Sequence, residues 1–382
     1  MRRCDCIPSK ATDMAGPQVD SLLSDLEARM AAQHLRGQWQ VDPNRPQNVR
    51  KGANGQVQID PVPSGIPHIW KWQDMLPLLH SACQAMTESY TARRALTFKN
   101  PSLQRGTTQT LVAGFQIVPP GEVAWAHRHT MSALRFTVQG NEKAFTVVDG
   151  RTLVMEPYDL ILTPGWSWHD HHNESQQDAI WMDGLDVPFT LALNQAFYEE
   201  PGEVAQERRV DDDAFSPLVR PAGSQGAEGA RPYRYAWKDT LRFLHARTHD
   251  PVHPHLGHVF EFVNPATNGA VLPTIGCQIQ HLPPGFEGEP YRHTSSSIAF
   301  VIEGEGCMAV GEREIQWAKH DTLAIPNWTW HRQINRSKRE PAILFVMTDT
   351  PILAAFGLYR EETEDRVNVS PAPPGFKLSA AE

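Results

Sequence analysis

The residues able to do chemistry gather in two short stretches of the chain. His127 and His129 stand two apart. On a strand, side chains at that spacing share one face. His169 and His171 repeat the spacing later in the chain. Three imidazoles, His127, His129 and His169, can take one face of a metal ion and leave the opposite face open. Open positions are what oxygen chemistry on Fe(II) needs, and three histidines also suit Zn(II). A lone buried histidine is more often a hydrogen-bonded core residue, so the reading rests on the set. Arg135 follows His129 by an even number of residues, so on an unbroken strand it faces the same interior. A buried arginine needs an anion. That anion is either a ligand carboxylate, gripped through two N–H groups, or an internal acid.

The elements that must hold these residues are mostly strands. Leu134–Val138 and Ala144–Val148 are short alternating runs, followed by turn signals at Gly140-Asn141 and Asp149-Gly150. Residues 160–162, 180–182 and the stretch from Thr274 to Met347 share that texture. Two helices are predicted before them. One runs from Val19 to Arg36, with Leu22, Leu26 and Met30 every four residues and Gly37 as its stop. The other runs from Gln73 to about Arg94, with Pro77 near its first turn. A short helix is expected from Trp237 to Arg247, and residues 202–235 read as a linker.

The β-rich unit occurs twice. Gly121-x5-His127-x-His129 and Gly140 align with Gly285-x5-Tyr291-x-His293 and Gly304. Asp159-x4-Pro164-x-Trp166-x-Trp168-His169-x3-Asn173 aligns with Asp321-x4-Pro326-x-Trp328-x-Trp330-His331-x3-Asn335. Asp186-Val-Pro188 aligns with Asp349-Thr-Pro351. The two histidine motifs resemble those of cupins, which are double-sheet β-barrels of the jelly-roll kind. The glutamate usual in the first cupin motif is replaced by the Ala133-Leu134 stretch. Arg93-Arg94-Ala95-Leu96, Gln116-x4-Gly121-Glu122, His127-Arg128-His129-Thr130, Trp168-His169-Asp170-His171 and Asp183-Gly184-Leu185-Asp186 together resemble the gentisate 1,2-dioxygenase family. That family includes salicylate and 1-hydroxy-2-naphthoate dioxygenases.

The resemblance implies a mainly β fold, a bicupin of two jelly-roll barrels with an N-terminal helical segment. Its parts would be a disordered N-terminus (1–17), the helical segment (18–99), a catalytic metal-binding barrel (100–201), the linker (202–235), a degenerate second barrel (236–362) and a tail (363–382). It implies Fe(II) on His127, His129 and His169, and insertion of both atoms of O2 between the carboxyl- and hydroxyl-bearing carbons of a 2-hydroxyarenecarboxylate. Catalytic roles would fall to Arg135, His171 and Asp183. Arg135 would hold the substrate carboxylate, His171 would face the substrate hydroxyl or oxygen, and Asp183 would orient His171 or an arginine. Arg93, Ala95, Val112, Gln116 and Phe197 would complete the substrate pocket. Arg93 and Arg94 could exchange roles, and Gln116 could bind a carboxylate or satisfy backbone. Many relatives carry a bulky aromatic at Val112 and glycine at His172, and a smaller wall would admit a larger ring. Gentisate is the first candidate substrate, with salicylate, a substituted salicylate or 1-hydroxy-2-naphthoate as alternatives. In the second unit Tyr291 replaces the first histidine, which leaves His293 and His331 as a poor metal site. The four tryptophans beside the later histidines read as core packing.

Composition sets the outer limits. The chain has 382 residues, enough for two or three domains at about 150 residues each. Its net charge of −9 disfavours a phosphate-backbone binder, so no nucleic-acid partner is expected. No run approaches about 18 apolar residues, so no membrane span is predicted. Five scattered cysteines, with Cys4-x-Cys6 near the N-terminus, do not resemble a disulfide framework. A cytoplasmic protein is expected, and the family resemblance implies a homotetramer. The rivals are a non-redox Zn or Mn isomerase or hydrolase on the same histidines, and a non-catalytic binding bicupin.

Overall fold

The computed structural model describes residues 17–40, 48–51, 57–86, 94–209, 233–265, 267–311, 313–364 and 366–367. Arg93, the Cys4-x-Cys6 pair and most of the expected N-terminus, linker and tail lie outside them. Contacts divide the chain into two units, Met1–Val62 and Pro63–Glu382. The first holds the helix Pro17–Ala32 and a hairpin of Asn48–Lys51 with Val57–Asp60. That helix stops before the expected Gly37, because His34 takes the left-handed conformation at φ 56. The Leu35 amide then donates to the Met30 carbonyl at 2.8 Å, which closes the last turn.

The second unit contains both repeats, and each is a jelly-roll sandwich of facing antiparallel sheets. In the first repeat a six-stranded sheet runs Tyr233–Tyr235, Leu160–Thr163, Ala133–Gln139, Ala179–Leu185, Val112–Val118, Ala95–Thr97. It faces a five-stranded sheet ordered Tyr198–Glu199, Val123–His129, His169–Asn173, Asn141–Val148, Arg151–Met155. Alternation assigns the faces. Val118, Ile161 and Trp181 pack inward against Ala124, Val148 and Met155. Phe115, Phe136 and Met182 point the other way, into a core shared with Phe300, Phe345 and Met347 of the second repeat. Phe136 stacks on Phe345 with ring centres 4.1 Å apart, so the two large sheets lie back to back. Gly184 permits this approach, since a Cβ there would stand 2.5 Å from Met347 Sδ.

The strands do not respect the expected boundaries. His68–Trp70, before the first repeat, pairs with Thr322–Ile325 of the second. Tyr233–Tyr235, at the end of the expected linker, pairs with Leu160–Thr163 of the first. The motif aspartates explain the exchange. Asp159 Oδ1 accepts from the Trp237 amide at 2.8 Å, and Asp321 Oδ1 accepts from the Trp72 amide at 2.9 Å. Each thereby takes up an otherwise unsatisfied N–H at the start of a helix, Trp237–Ala246 or Trp72–Ala85. Each repeat so anchors the arm that precedes the other. The Trp72 helix is shorter than expected, since Met86 is already extended.

Asp149 and Gly150 both have positive φ, as the tight turn between Asn141–Val148 and Arg151–Met155 requires. Gly140 instead joins strands of opposite sheets, and a Cβ there would meet the Met155 carbonyl at 2.0 Å. Among the described residues no helix is long and apolar enough to cross a membrane.

Candidate metal centre

The five-stranded sheet gathers the histidines. His127 lies directly across from His169, so their side chains share the inner face. Their ring centres are 4.0 Å apart, and His129 stands 5.3 Å from His127 and 4.9 Å from His169. The nitrogens that could ligate a metal lie within 4.8 Å of one another, and all three residues are buried. Among the described residues this is the one such group of His, Cys, Asp or Glu. Each ring is locked alike. Nδ1 faces a carbonyl two residues away: Trp125 at 3.3 Å for His127, Met131 at 2.8 Å for His129, Ser167 at 2.9 Å for His169. A carbonyl can only accept, so Nδ1 carries the proton and Nε2 is left as a lone-pair donor. His169 Nε2 is buried with no hydrogen-bond partner. A buried nitrogen in that state is costly unless it meets a metal. Burial, with His127, Arg135 and the other histidines nearby, holds the His169 imidazole well below its ordinary pKa, so it stays neutral as a ligand must. The donor set therefore fits a divalent transition metal.

The six-stranded sheet supplies the opposite wall. Arg135 is 4% exposed, and its Nη1 donates to Thr163 Oγ1. Its Nε lies 3.5 Å from Asp183 Oδ1, which also accepts from Trp181 Nε1 at 2.9 Å. The internal acid weighed for Arg135 is thus Asp183, and a ligand carboxylate would be its second anion. The Trp181 ring stands 5.0 Å from the His171 ring, and His171 stands 5.9 Å from His169. Gln116 is buried directly across from Trp181, while Val112 begins the same strand. Ala95 lies across from Gln116 on the exposed edge strand. Arg94 is buried and ion-paired with Glu122. His172 is stacked on Phe145 and bonded to Asp170, on the face away from His169 and His171.

Spacing could have flagged Trp181, two residues before Asp183. It could not flag Tyr198, on a two-residue strand directly across from His129 and 5.6 Å in ring centre from His127. Phe197, expected at the pocket, is 59% exposed and stands on Trp166 at 6.3 Å. Nor are the motif tryptophans simple core packing. The Arg128 guanidinium lies 4.4 Å over Trp166 and 4.5 Å over Trp168, and it is ion-paired with Glu199. Arg292 repeats this with Trp328, Trp330 and Glu362. In the second repeat Tyr291 stands between His255, His293 and His331, with ring centres 5.1, 5.4 and 4.6 Å away. Ala299 and Val346 take the places of Arg135 and Asp183, and both pack in the apolar core.

Comparison with known proteins agrees with this geometry. Residues 114–187 and 278–348 match the Cupin domain model. The chain is 42% identical to the 1-hydroxy-2-naphthoate 1,2-dioxygenase of Nocardioides sp. (strain KP7), over 92% of this chain and 90% of that protein. It is 34% identical to the 5-aminosalicylate 1,2-dioxygenase of Comamonas sp., over 90% of this chain and 91% of that protein. The salicylate 1,2-dioxygenase of Pseudoaminobacter salicylatoxidans, solved as adducts with gentisate, superposes with a TM-score of 0.76. That match has 27% identity and covers 94% of this chain and 98% of that one.

Proposed function

The chain belongs to the gentisate 1,2-dioxygenase family of aromatic ring-cleaving bicupins, and from that footing we propose an Fe(II) enzyme that opens a 2-hydroxyarenecarboxylate between its carboxyl- and hydroxyl-bearing carbons. Both atoms of O2 would enter the product. The observation that carries this reading is the set of three carbonyl-locked histidines, buried within reach of Arg135. Ferrous ion on His127, His129 and His169 would supply coordination of the substrate oxygens and of O2, and electron exchange between them.

The remaining work belongs to the chain. Arg135 binds and orients the substrate carboxylate, while Thr163 and Asp183 fix the direction of its guanidinium. Asp183 is itself held by Trp181. His171, whose ring lies against Trp181, would take the phenolic proton at a ring nitrogen. Gln116 offers an amide beside the ring, and buried walls exclude water. Val112 is a small wall, and 42% identity to a naphthoate dioxygenase adds to it, so a fused or substituted ring is favoured over gentisate. Arg93, by its place in the motif, would be a second carboxylate contact. The second repeat would be structural. Family membership supports a cytoplasmic homotetramer.

The test is oxygen uptake by anaerobically iron-loaded protein offered 1-hydroxy-2-naphthoate, 5-aminosalicylate, salicylate and gentisate in parallel. Uptake with a new ultraviolet-absorbing product from one or more is expected. No uptake from any, with one metal still tightly held, would point to a non-redox metal enzyme.

A further inference from the structure

The two sides of the first sandwich differ in how far their inner rows are buried. On one side the inward residues Leu153, Met155 and Ile161 are buried. On the other side the two sheets end in the edge strands Ala95–Thr97 and Tyr198–Glu199. Residues on the inner rows of these strands remain exposed: Ala95, across from Gln116, and Tyr198, across from His129. These two strands are the edges, or lips, at which the first sandwich leaves inner-row residues exposed.

The lips differ in chemistry. One carries the methyl of Ala95, with small Val112 on the next strand. The other carries a phenol ring that is 52% exposed and within 5.6 Å of the His127 ring. Tyr198 is held there by its neighbour. Glu199 pairs with Arg128, whose guanidinium is clasped between Trp166 and Trp168. A strand of two residues has little hold of its own, so this clasp seats it.

Resting on the function proposed above, we infer that Tyr198 is a specificity-determining residue whose ring contacts the outer edge of the bound aromatic and favours fused rings. Direction follows from burial. Arg135 and the histidines lie deep, so a carboxylate and hydroxyl held there leave the far edge of the ring pointing at the lips. A single ring offers that lip little area, whereas a second fused ring reaches it. The proposed contact is made by the face and edge of the ring, so a phenylalanine ring supplies it as well.

The experiment compares wild type, Tyr198→Ala and Tyr198→Phe, each iron-loaded. Steady-state constants are read with 1-hydroxy-2-naphthoate and salicylate. Dissociation constants under argon are read from quenching of tryptophan fluorescence. Iron content and melting temperature check that the variants fold. Tyr198→Ala should weaken the naphthoate about tenfold, in KM and in the dissociation constant, and salicylate by less than about twofold. Tyr198→Phe should match wild type. Equal loss on both rings, no loss, or a Tyr198→Phe as impaired as Tyr198→Ala would overturn the inference. Absent turnover by wild type with ring-selective binding intact would instead sink the dioxygenase reading and leave the lip standing.

Discussion

At the scale of single residues, function depends on which side chains are fixed before any ligand arrives. The histidines are locked by carbonyls and Arg135 by Thr163 and Asp183. His169→Ala should abolish tight metal binding, measured by metal analysis after dialysis. His171 cannot substitute, because its ring centre stands 5.9 Å away from that of His169. Retention of a full metal equivalent would contradict the ligand assignment. Arg135→Lys should keep the metal but lower kcat/KM by about tenfold to a hundredfold. A point charge loses the two-pronged grip, on the order of 1.5 to 3 kcal/mol for bonds between charged groups. The gathering of His127, His129, His169 and Arg135 on facing strands was legible in the sequence because even spacing on strands assigns a face, and Asp183 was visible only through the family motif. Tyr198 and Thr163 were not, since what matters there is cross-strand register.

At the scale of elements, the exchange of arms is the feature that spacing could not reveal. Nothing local in His68–Trp70 says that its partner strand begins at Thr322, on a repeat far along the chain. The strands themselves were legible from alternation, and the Asp149-Gly150 turn from its residue types. Asp159 and Asp321 were visible as repeated motif residues without an evident task. Each proves to seat an arm, through a helix-start amide and through Arg234 or Lys71. Asp159→Ala should therefore destabilise the fold by about 1 to 3 kcal/mol, since a partly buried amide and a cation lose their acceptor. Urea unfolding would read the loss, and limited proteolysis should then cut near Tyr233–Tyr235 first. Wild-type stability with unchanged cleavage would contradict the seating role.

At the scale of the whole molecule, the two repeats are joined through a shared core and a reciprocal pair of acids. Asp186 of the first binds Thr274 of the second, and Asp349 of the second binds Thr110 of the first. Burial raises both carboxyls, Asp349 to about 6 from an ordinary 3.8. A raised carboxyl binds a proton more tightly folded than unfolded. Its stabilising contribution is complete below 3.8 and is lost as pH rises through about 6, by about 3 kcal/mol in all. Asp349 also accepts from the Ser296 amide at 2.7 Å, and Asp349→Asn keeps an acceptor for that amide and a donor for Thr110 without the charge. Its melting temperature relative to wild type should therefore rise between pH 5 and pH 8, by scanning calorimetry. A difference that stays constant with pH would show that Asp349 does not titrate with folding in this range. The duplicated jelly roll was legible because motif identities recur at matched intervals. The back-to-back packing of the large sheets was not, because Phe136 and Phe345 declare a partner only once both sheets exist. The proposed insertion of both atoms of O2 into one aromatic ring is followed by isotope. Iron-loaded protein is given its best-turned-over hydroxyarenecarboxylate under 18O2, and the product is weighed by mass spectrometry. Two labelled atoms are expected in the ring-opened product, with none in a His129→Ala control. One labelled atom after immediate borohydride trapping of the product's keto group, or an intact ring, would contradict it.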